Sequence, residues 1–279
     1  MNHLIYVNKA DGSKELFEES KLIDSLEHAG ATAEQITQIV NNVGAEMKNG
    51  MTTGQIYTRA FDILRTISVQ TAMKYSLRRA LSELGPGGFP FERYVARILE
   101  KKGYSTLVDQ IVVGHCVPHE VDIVAWKDDE LIFVEAKFHN EFGFKSDLKV
   151  ALYIKARFDD LRGQKFMFGG KERTMTDGWL ITNTKFTDQA VKYSECQGLR
   201  LIGWNYPHTN NLQDMIQELS LHPFTCLSTL SNTAKRQLLD AGVLLCTDIS
   251  TNPDMLRKLQ FDERHISRVL QEIDDVCRL

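Results

Sequence analysis

Two charged residues interrupt the end of an apolar segment, LIFVEAKF, at residues 131–138. Side chains alternate between the two faces of a strand, so Glu135 and Lys137 share one face. Asp122 lies in the preceding apolar segment, VDIVAW, and a tight hairpin would bring it near Glu135. Two adjacent carboxylates repel each other, so either one is protonated or a cation lies between them. Mg²⁺ or Mn²⁺ suits this position, because such ions bind carboxylates together with substrate phosphate.

This arrangement predicts a phosphate-cleaving site. The metal would activate a water molecule and neutralise charge on the phosphate, while Lys137 would stabilise the attacking hydroxide or the phosphorane. Glu92, on the helix predicted before these strands, could hold a metal-bound water or a second ion. Taken alone, a Glu-x-Lys pair at a strand end is usually a solvated salt bridge at a sheet edge. The apolar surroundings of Asp122 favour the metal site, because an unpaired buried carboxylate is costly.

Other polar residues surround the predicted site. His115, His119 and His139 flank it, and they are candidates either for metal binding and proton transfer or for ordinary hydrogen bonding. Lys155 and Arg157 lie on the next predicted helix, where they either contact phosphates or belong to a solvated helix face. The sequence leaves both alternatives open.

The composition sets limits on the class of protein. The chain has 279 residues, 43% hydrophobic and 25% charged, which is ordinary for a globular protein of two or three domains. Its net charge of −4 means that nucleic-acid binding would need a local basic surface or bound cations. The five cysteines form no C-x-x-C pair, which argues against a disulfide framework and a cysteine zinc site and favours a cytoplasmic location. No signal-peptide pattern and no apolar run of roughly 20 residues is present, so we expect no membrane association.

Two breaks divide the chain. LGPGGFP at 84–90 contains three glycines and two prolines, which cannot continue a helix, and NYPHTNN at 205–211 is a second polar break. We therefore predict three domains, at residues 1–85, 89–207 and 219–279.

The apolar periodicity predicts a multidomain protein of α+β and α/β type. The first segment is predicted as a β-hairpin turning at Asp11-Gly12, then a helical bundle with a capping box at Thr32. The middle segment alternates helices and strands, which indicates an α/β sandwich around a mixed sheet, with Ser146 capping one helix. The last segment is predicted as a small all-α domain. Its predicted helix caps are Ser231, Thr251 and Asp262.

The middle segment resembles the PD-(D/E)xK nuclease core. Its opening helix FERYVARILEKKGY, the strand VDIVAW, the motif EAK and the closing ITNTKFTDQAVKYSECQGLRLI follow the family's order. Within that core the segment is most similar to Mrr-like restriction endonucleases and archaeal Holliday-junction resolvases, over most of residues 89–207. The resemblance implies a DNA substrate and a metal bound by Asp122, Glu135 and Glu92. It also implies that Asp122, Glu135 and Lys137 are catalytic, with Glu92 assisting.

The first segment carries lysines that could bind phosphate. Lys9 and Lys21 could meet over the hairpin and clamp a polyphosphate, with Thr52 and Thr53 at a helix N-terminus adding donors. Scattered surface lysines are the alternative.

The same segment resembles an ATP-cone, the regulatory nucleotide-binding module of ribonucleotide reductases and their transcriptional repressor. The matching pieces are VNKADG, FEESKL, MTTGQIY and MKYSLRRAL, spread over residues 4–81. Many cones have a second basic residue where this chain has Ala10. No Walker A loop is present, so the resemblance implies that ATP or dATP is an effector and is not hydrolysed. The implied nucleotide contacts are Val7, Lys9, Glu15, Lys21 and Thr53, with Tyr75 or Arg78 from the closing helix.

The last segment resembles helix-hairpin-helix DNA-binding units only faintly, and a structural or dimerisation role fits it equally. Together these patterns predict a cytoplasmic, metal-dependent DNA endonuclease gated by ATP or dATP and acting as a homo-oligomer. Two alternatives stay open. One is a nucleotide-responsive DNA-binding regulator that keeps the nuclease core as a scaffold, and the other is a cone that has lost its ligand and serves only in oligomerisation.

Overall fold

The structure, a computed structural model, describes residues 5–9, 12–85, 88–140 and 144–277. Contacts within the chain divide it into two compact units. One unit combines the N-terminal 80 residues with the segment from His222 onward, and the other is formed by the chain between them. Among the described residues, no helix combines the length and the apolar character needed to cross a bilayer.

The N-terminal part of the first unit is a hairpin followed by a helical bundle, as predicted. The hairpin strands are antiparallel, and the turn predicted at Asp11 lies outside the described residues. The Thr32 capping box is confirmed. The Thr32 side chain accepts a hydrogen bond from the Gln35 backbone amide, and the Gln35 side chain accepts one from the Thr32 backbone amide. The elements are β1 (Tyr6–Asn8), β2 (Lys14–Leu16), α1 (Glu19–His28), α2 (Ala33–Glu46), α3 (Thr53–Ile67) and α4 (Val69–Ser82).

The second unit is the predicted α/β sandwich. Its five-stranded sheet has the order β11-β9-β5-β4-β3, with antiparallel pairing among β3, β4 and β5 and parallel pairing from β5 to β9 and β11. The elements are α5 (Phe89–Lys101), β3 (Ser105–Val113), β4 (Pro118–Lys127), β5 (Glu130–Lys137), β6 (Lys145–Ser146), α6 (Leu148–Leu161), β7 (Lys165–Phe168), β8 (Lys171–Thr174), β9 (Asp177–Thr182), β10 (Lys185–Phe186), α7 (Asp188–Gln197), β11 (Arg200–Ile202) and α8 (Leu212–Glu218).

The centre of this sheet explains the apolar run that precedes Glu135. Leu131, Ile132, Phe133 and Val134 of β5 are all buried, because β5 is the middle strand and helices cover the sheet. Helix α6 approaches closely at β9. A Cβ atom on Gly178 would lie 2.4 Å from the Phe158 ring, so glycine is required for this contact.

One predicted helix cap in this unit is wrong, and one hairpin was not predicted. Asp147, and not Ser146, caps α6, since its side chain accepts from the Val150 amide. Ser146 belongs to β6, and its hydroxyl lies 3.2 Å from the His139 ring. The β7–β8 hairpin was not predicted, although the Gly169-Gly170 pair has φ angles of 58° and 74° and forms the turn between its strands.

The C-terminal part of the first unit is helical, as predicted. Ser231 and Asp262 cap helices, but the predicted cap at Thr251 is wrong. Thr251 is the last residue of its helix, and its hydroxyl donates back to the Thr247 carbonyl. A short 3₁₀ turn, Phe224–Cys226, precedes the helices α9 (Asn232–Asp240), α10 (Cys246–Thr251), α11 (Asp254–Lys258) and α12 (Glu263–Cys277).

The two parts of the first unit share a core. Met73 and Ala80 of α4 pack in the same apolar cluster as Phe224 and the faces of α9 to α12. The Thr225 hydroxyl donates to the Ala80 carbonyl over 2.6 Å. The helix that closes the bundle is therefore also part of the C-terminal domain's core.

Candidate active site and nucleotide site

Asp122 and Glu135 lie next to each other on adjacent strands. The register pairs Ile123 with Val134, which places the two acids directly beyond this pair. The Ala136 amide donates to the Asp122 carboxylate over 2.7 Å, so the two strands remain joined at the site. Lys137 follows on the same face as Glu135, and its side chain is exposed. The structure thus brings together the three residues of the predicted motif.

Both carboxyl groups are difficult to ionise. Burial, and then the charge of Asp122, raises the pKa of Glu135 to about 7, although Arg157 and Lys137 oppose this rise. Burial likewise raises the pKa of Asp122, against the opposing effects of the Ala136 amide, Arg157 and Lys137. The two neighbouring positive charges therefore do not fully compensate two buried acids, and an additional cation would stabilise the ionised pair.

Arg157 is an important residue that the sequence placed only loosely. Its Nη1 atom donates to Glu135 Oε2 over 2.8 Å, and the two side chains are only 13% and 12% exposed. Its guanidinium also lies 5.5 Å from the centre of the Tyr153 ring. Arg157 therefore does not belong to a solvated helix face, because it is largely buried and paired with the motif glutamate.

Glu92 extends the acidic group from α5. Burial raises its pKa to about 7, with further contributions from the charges of Asp122, Asp109 and Glu120. Its carboxylate lies near the start of α5, where a Cβ on Gly88 would come within 3.1 Å of Glu92 Oε1. The structure thus places Glu92 in the electrostatic field of the motif aspartate, and its role in holding a metal-bound water or a second ion stays a prediction.

Asp109 and Glu120 are acidic residues of this region that the sequence analysis did not select. The register of β3 with β4 sets Asp109 opposite Asp122, and Asp109 has a positive φ of 56°. Aspartate tolerates this backbone better than most residues. A negative residue within each of two predicted neighbouring strands was the available signal, but only the register shows that they occupy opposite positions on the two strands.

The residues present fit a divalent metal. Asp122 uses Oδ2 for the Ala136 amide and Glu135 uses Oε2 for Arg157, so each has a second oxygen that could bind an ion. Within the described ranges no group of three or more His, Cys, Asp or Glu side chains is gathered as a complete ligand set. This pattern suits Mg²⁺ or Mn²⁺, which keep several waters and are often held by only one or two carboxylates plus phosphate.

The flanking histidines form hydrogen bonds. His119 Nε2 lies 2.7 Å from Asp160 Oδ2, and this contact holds the pKa of Asp160 well below its usual range. Asp160 also accepts from the Cys116 and Val117 amides, so it fastens the β3–β4 loop to α6. His139 contacts Ser146. Two of the three histidines therefore take the hydrogen-bonding alternative.

The predicted phosphate clamp of the first segment has a definite arrangement. The ammonium groups of Lys9 and Lys21 both contact the Glu15 carboxylate across the hairpin. Lys21, and then Lys9, lowers the pKa of Glu15. Both lysines are about half exposed, at 42% and 56%. Lys21 also contacts Glu18 over 3.0 Å. The structure therefore brings the two lysines together, as predicted, in a cluster with two glutamates.

The hairpin lies against the N-terminus of α3. Asn8 forms a β-bridge with Thr52, whose hydroxyl caps α3 by accepting from the Gln55 amide. Thr53 is the first residue of the helix and is exposed. Val7 is only 4% exposed and packs in the bundle core, so only its backbone could contact a nucleotide.

The two predicted contacts on α4 lie in a different environment. Burial raises the pKa of Tyr75 and lowers that of Arg78. The Tyr75 ring stacks on Tyr57 with centroids 5.0 Å apart, and Arg79 lies over the other ring at 5.3 Å. The two rings therefore use a face each for their own stacking, whereas the half-exposed lysines are suited to phosphate.

Comparisons with known proteins match three parts of the chain to families of known proteins. Three family models match, described as ATP cone domain at residues 5–84, restriction endonuclease at 87–206, and AF1548-like, C-terminal, at 222–277. The resemblances to the ATP cone and to Mrr-like restriction endonucleases are therefore confirmed.

Two similar proteins of undefined function each align with about two thirds of this chain. An uncharacterized protein of Archaeoglobus fulgidus is 34% identical over 183 residues, which cover 65% of this chain and 99% of that protein. A solved structure, entitled "Crystal Structure of Protein of Unknown Function AF1548", superposes with a TM-score of 0.54 and 33% identity, over 68% of this chain and 98% of that one. The chain belongs to the AF1548-like family, with a restriction endonuclease domain and an ATP cone domain in one polypeptide.

Proposed function

We propose that the protein is a divalent-metal-dependent DNA endonuclease regulated by ATP or dATP. The observation that carries this proposal is the pair of buried carboxylates, Asp122 and Glu135, on adjacent strands with Lys137 beside them. Their raised pKa values describe a site that gains stability when a cation arrives. The restriction endonuclease and ATP cone matches support DNA and nucleotide as the two ligands.

Each residue has a distinct task in the proposed reaction. A bound Mg²⁺ or Mn²⁺ supplies a Lewis acid that lowers the pKa of water and offsets charge at the scissile phosphate. Asp122 and Glu135 hold the ion, and Glu92 orients water near it. Lys137, which is exposed at the strand end, can reach a phosphate oxygen and stabilise the charge that develops there. Arg157 positions Glu135 through their 2.8 Å hydrogen bond.

The nucleotide is proposed as an effector. Lys9 and Lys21 bind the polyphosphate in exchange for their contacts with Glu15, while Thr53 and the backbone of Val7 line the same end of the bundle. Tyr75 and Arg78 on α4 add contacts to the base. A homo-oligomer is proposed as well, since cutting two strands requires two sites.

A second candidate is favoured by one observation. The Glu135–Arg157 ion pair places a guanidinium on the carboxylate that the metal would need. If this pair persists when DNA is bound, the domain is a scaffold and the protein is a nucleotide-responsive DNA-binding regulator. In that case DNA binds tightly and remains intact, and Lys137→Ala has no effect on binding.

The test is cleavage of supercoiled plasmid with Mg²⁺, with and without ATP. We expect wild type to nick the plasmid, and we expect the cleavage rate of Glu135→Ala to be lower by roughly 10²–10³-fold. The control is Glu172→Ala, which removes an exposed carboxylate on β8 that pairs only with the exposed Lys165. Equal residual nicking by wild type and Glu135→Ala would show that the catalytic assignment is wrong.

A further inference from the structure

Two exposed aromatic rings lie beside the candidate active site, and the reaction proposed above gives neither of them a task. The side chains of Phe144 and Tyr153 are 55% and 63% exposed. A single exposed apolar side chain is ordinary, but each of these rings is joined by contacts to the end of β5 that carries the EAK motif. We call Phe144 and Tyr153 the aromatic rim.

Phe144 lies on a histidine that is fixed in position. The rings of Phe144 and His139 are stacked, with centroids 5.4 Å apart and planes inclined by 18°. His139 follows Lys137, the last residue of β5, by two positions. Its backbone amide donates to the Asn183 side chain over 2.9 Å, and that side chain donates back to the His139 carbonyl over 2.8 Å. The Phe144 ring is therefore supported on one face and open to solvent elsewhere.

Tyr153 lies on α6 close to the motif glutamate. The Arg157 guanidinium is 5.5 Å from the centre of the Tyr153 ring, and it also donates to Glu135 over 2.8 Å. Only one side chain therefore separates this exposed ring from a carboxylate that is proposed to bind the metal. The guanidinium supports one face of the ring, as His139 supports one face of Phe144.

A pocket of about 470 Å³ lies next to both members of the aromatic rim. Its lining includes Lys145, which follows Phe144 in the chain, and Leu152, which precedes Tyr153. Lys149 also lines this pocket and is exposed. The two rings are therefore neighbours of one continuous surface at the start of α6.

This surface offers several ammonium groups. Lys145 and Lys149 are exposed, and the register of β6 with β10 sets the exposed Lys185 opposite Lys145. Asp147 and Asp188 are the acids of the pocket, and Asp147 accepts a hydrogen bond at the start of α6. Exposed ion pairs are weak, so exposed lysines exchange their partners readily for phosphates.

We propose that the aromatic rim stacks on unpaired bases, so that the preferred DNA has a single-stranded segment beside the scissile phosphate. This inference rests on the proposed function, and it names the substrate class. Proteins that bind single strands combine aromatic rings, which stack on bases, with positive groups that follow the phosphates. A base inside a continuous duplex is covered by its neighbours on both faces, and exposing it costs unstacking energy.

A contact with a second copy of the chain is the competing explanation of exposed aromatic rings. The lysines favour nucleic acid, because lysine is depleted at the core of protein interfaces, whereas phosphates attract it. Lys145 directly follows Phe144, and Lys149 lines the same pocket as Leu152. The alternation of rings and ammonium groups along this surface is therefore better suited to a strand of nucleotides.

The test measures binding without cleavage. Fluorescence anisotropy in EDTA and at one salt concentration compares labelled DNAs of equal length: a continuous duplex, a duplex with splayed single-stranded ends, and a fully paired four-way junction. We expect wild type to bind the splayed DNA about 10-fold more tightly than the duplex, which is the effect of stacking one base. The paired junction should bind like the duplex, because it is branched but leaves no base unpaired.

Variants of Phe144 separate stacking from apolar contact. We expect Phe144→Ala to lower the affinity for splayed DNA about 10-fold and to leave the duplex affinity unchanged. Phe144→Tyr keeps the ring and should bind like wild type, whereas Phe144→Leu keeps apolar volume without a ring and should behave like Phe144→Ala. Met167→Ala is the control, because it removes an apolar side chain that is 66% exposed on the β7–β8 hairpin.

A fluorescent base reports stacking directly. 2-Aminopurine at the first unpaired position should lose fluorescence when wild type binds, and should keep it with Phe144→Ala. Equal wild-type affinity for duplex and splayed DNA, junction binding as tight as that of splayed DNA, or full affinity in Phe144→Leu would overturn the proposal. So would a Phe144→Ala variant that has a lower mass in sedimentation but keeps the preference, which is the result expected of a contact between copies.

The same measurements distinguish failure of this inference from failure of the proposed function. A preference for splayed DNA in EDTA, with no cleavage of any DNA in Mg²⁺, would support the aromatic rim and contradict the nuclease activity. Cleavage in Mg²⁺ with equal binding of duplex and splayed DNA would contradict the aromatic rim alone. Wild type that binds none of the DNAs would contradict both.

Discussion

The strand site and the hairpin site contain the same side-chain types in opposite electrostatic states. At the strands, the acids are buried and two of them have pKa values raised to about 7. At the hairpin, the partly exposed Glu15 lies between two lysines, which lower its pKa, and Glu18 contacts one of them. The difference shows that residue identity alone does not determine the ligand. The local charge balance and the burial determine it.

This contrast explains why the two sites suit ligands of opposite sign. Asp122, Glu135 and Glu92 carry more negative charge than Lys137 and Arg157 can neutralise, so the strand site favours a cation. At the hairpin, Lys9 and Lys21 pair with Glu15 and Glu18, but both lysines are about half exposed, so they can exchange these contacts for the phosphates of a nucleotide triphosphate. A protein of net charge −4 can therefore offer a site for a metal cation and, in a different part of the chain, exposed lysines for an anion.

The largest effect is expected from a substitution that disrupts the metal site on the strands. Asp122→Asn removes one of the two metal-binding charges and keeps the side-chain volume, so we expect Mg²⁺-dependent plasmid cleavage to fall by roughly 10²–10³-fold. Asp159→Asn is a matched control, because Asp159 is exposed on α6 and pairs only with Lys155. Equal loss in both variants would mean that the change reflects general charge and not the site.

The second prediction compares stability at the two sites without divalent metal. The folded-state pKa of Glu135 is raised from its ordinary value to about 7, so its contribution is complete below pH 4.5 and is lost as the pH rises through 7. Glu135→Gln should therefore raise the free energy of unfolding at pH 8 by roughly 1–3 kcal/mol, as measured by urea denaturation.

Glu15→Gln is the counterpart with the opposite sign. The pKa of Glu15 is lowered, so its stabilisation is present above its ordinary pKa and is lost as the pH falls through the folded value. Its substitution should lower stability slightly at pH 8, since this pair is exposed. If the two substitutions changed the free energy of unfolding at pH 8 in the same direction, the electrostatic contrast would be wrong.

Much of the strand site could be predicted from the sequence, for a physical reason. A short hairpin leaves few registers, so the apolar runs before Glu135 and around Asp122 fix which ends meet. The alternation of side chains then puts Lys137 on the same face. The same logic predicted that Lys9 and Lys21 would meet over the first hairpin.

The partners supplied by other elements could not be predicted. Arg157 contacts Glu135 only because α6 packs with that face toward β5, which depends on close contacts such as the one at Gly178. Asp109 lies opposite Asp122 through the β3–β4 register, which no short loop fixes. The wrong cap at Thr251 has a different, local cause, because its hydroxyl donates to the Thr247 carbonyl of its own helix instead of capping the next.

The third prediction breaks the hairpin site. Lys21→Ala removes one of two phosphate-binding charges, and we expect ATP affinity to fall about 10-fold, the value of a charge-assisted hydrogen bond. Isothermal titration with ATP and with dATP measures this effect. Lys14→Ala is the control, because Lys14 is exposed on β2. Unchanged affinity in Lys21→Ala, or an absence of heat in wild type, would favour a cone that serves only in oligomerisation.

The smallest effect is expected from a substitution of Arg157, the residue that pairs with Glu135 in the strand site. Arg157 lowers the pKa of Glu135, while burial and Asp122 raise it and Lys137 opposes them. Removing the guanidinium in Arg157→Ala should raise this pKa further, so a larger share of Glu135 is protonated at neutral pH. The acidic limb of the pH–cleavage profile should therefore move upward by about one unit. Arg157→Lys keeps the charge and should recover part of the shift. A profile that stays in place, or moves to lower pH, would mean that Arg157 competes with the metal more than it supports the ionised glutamate, which is the arrangement expected of a non-catalytic scaffold.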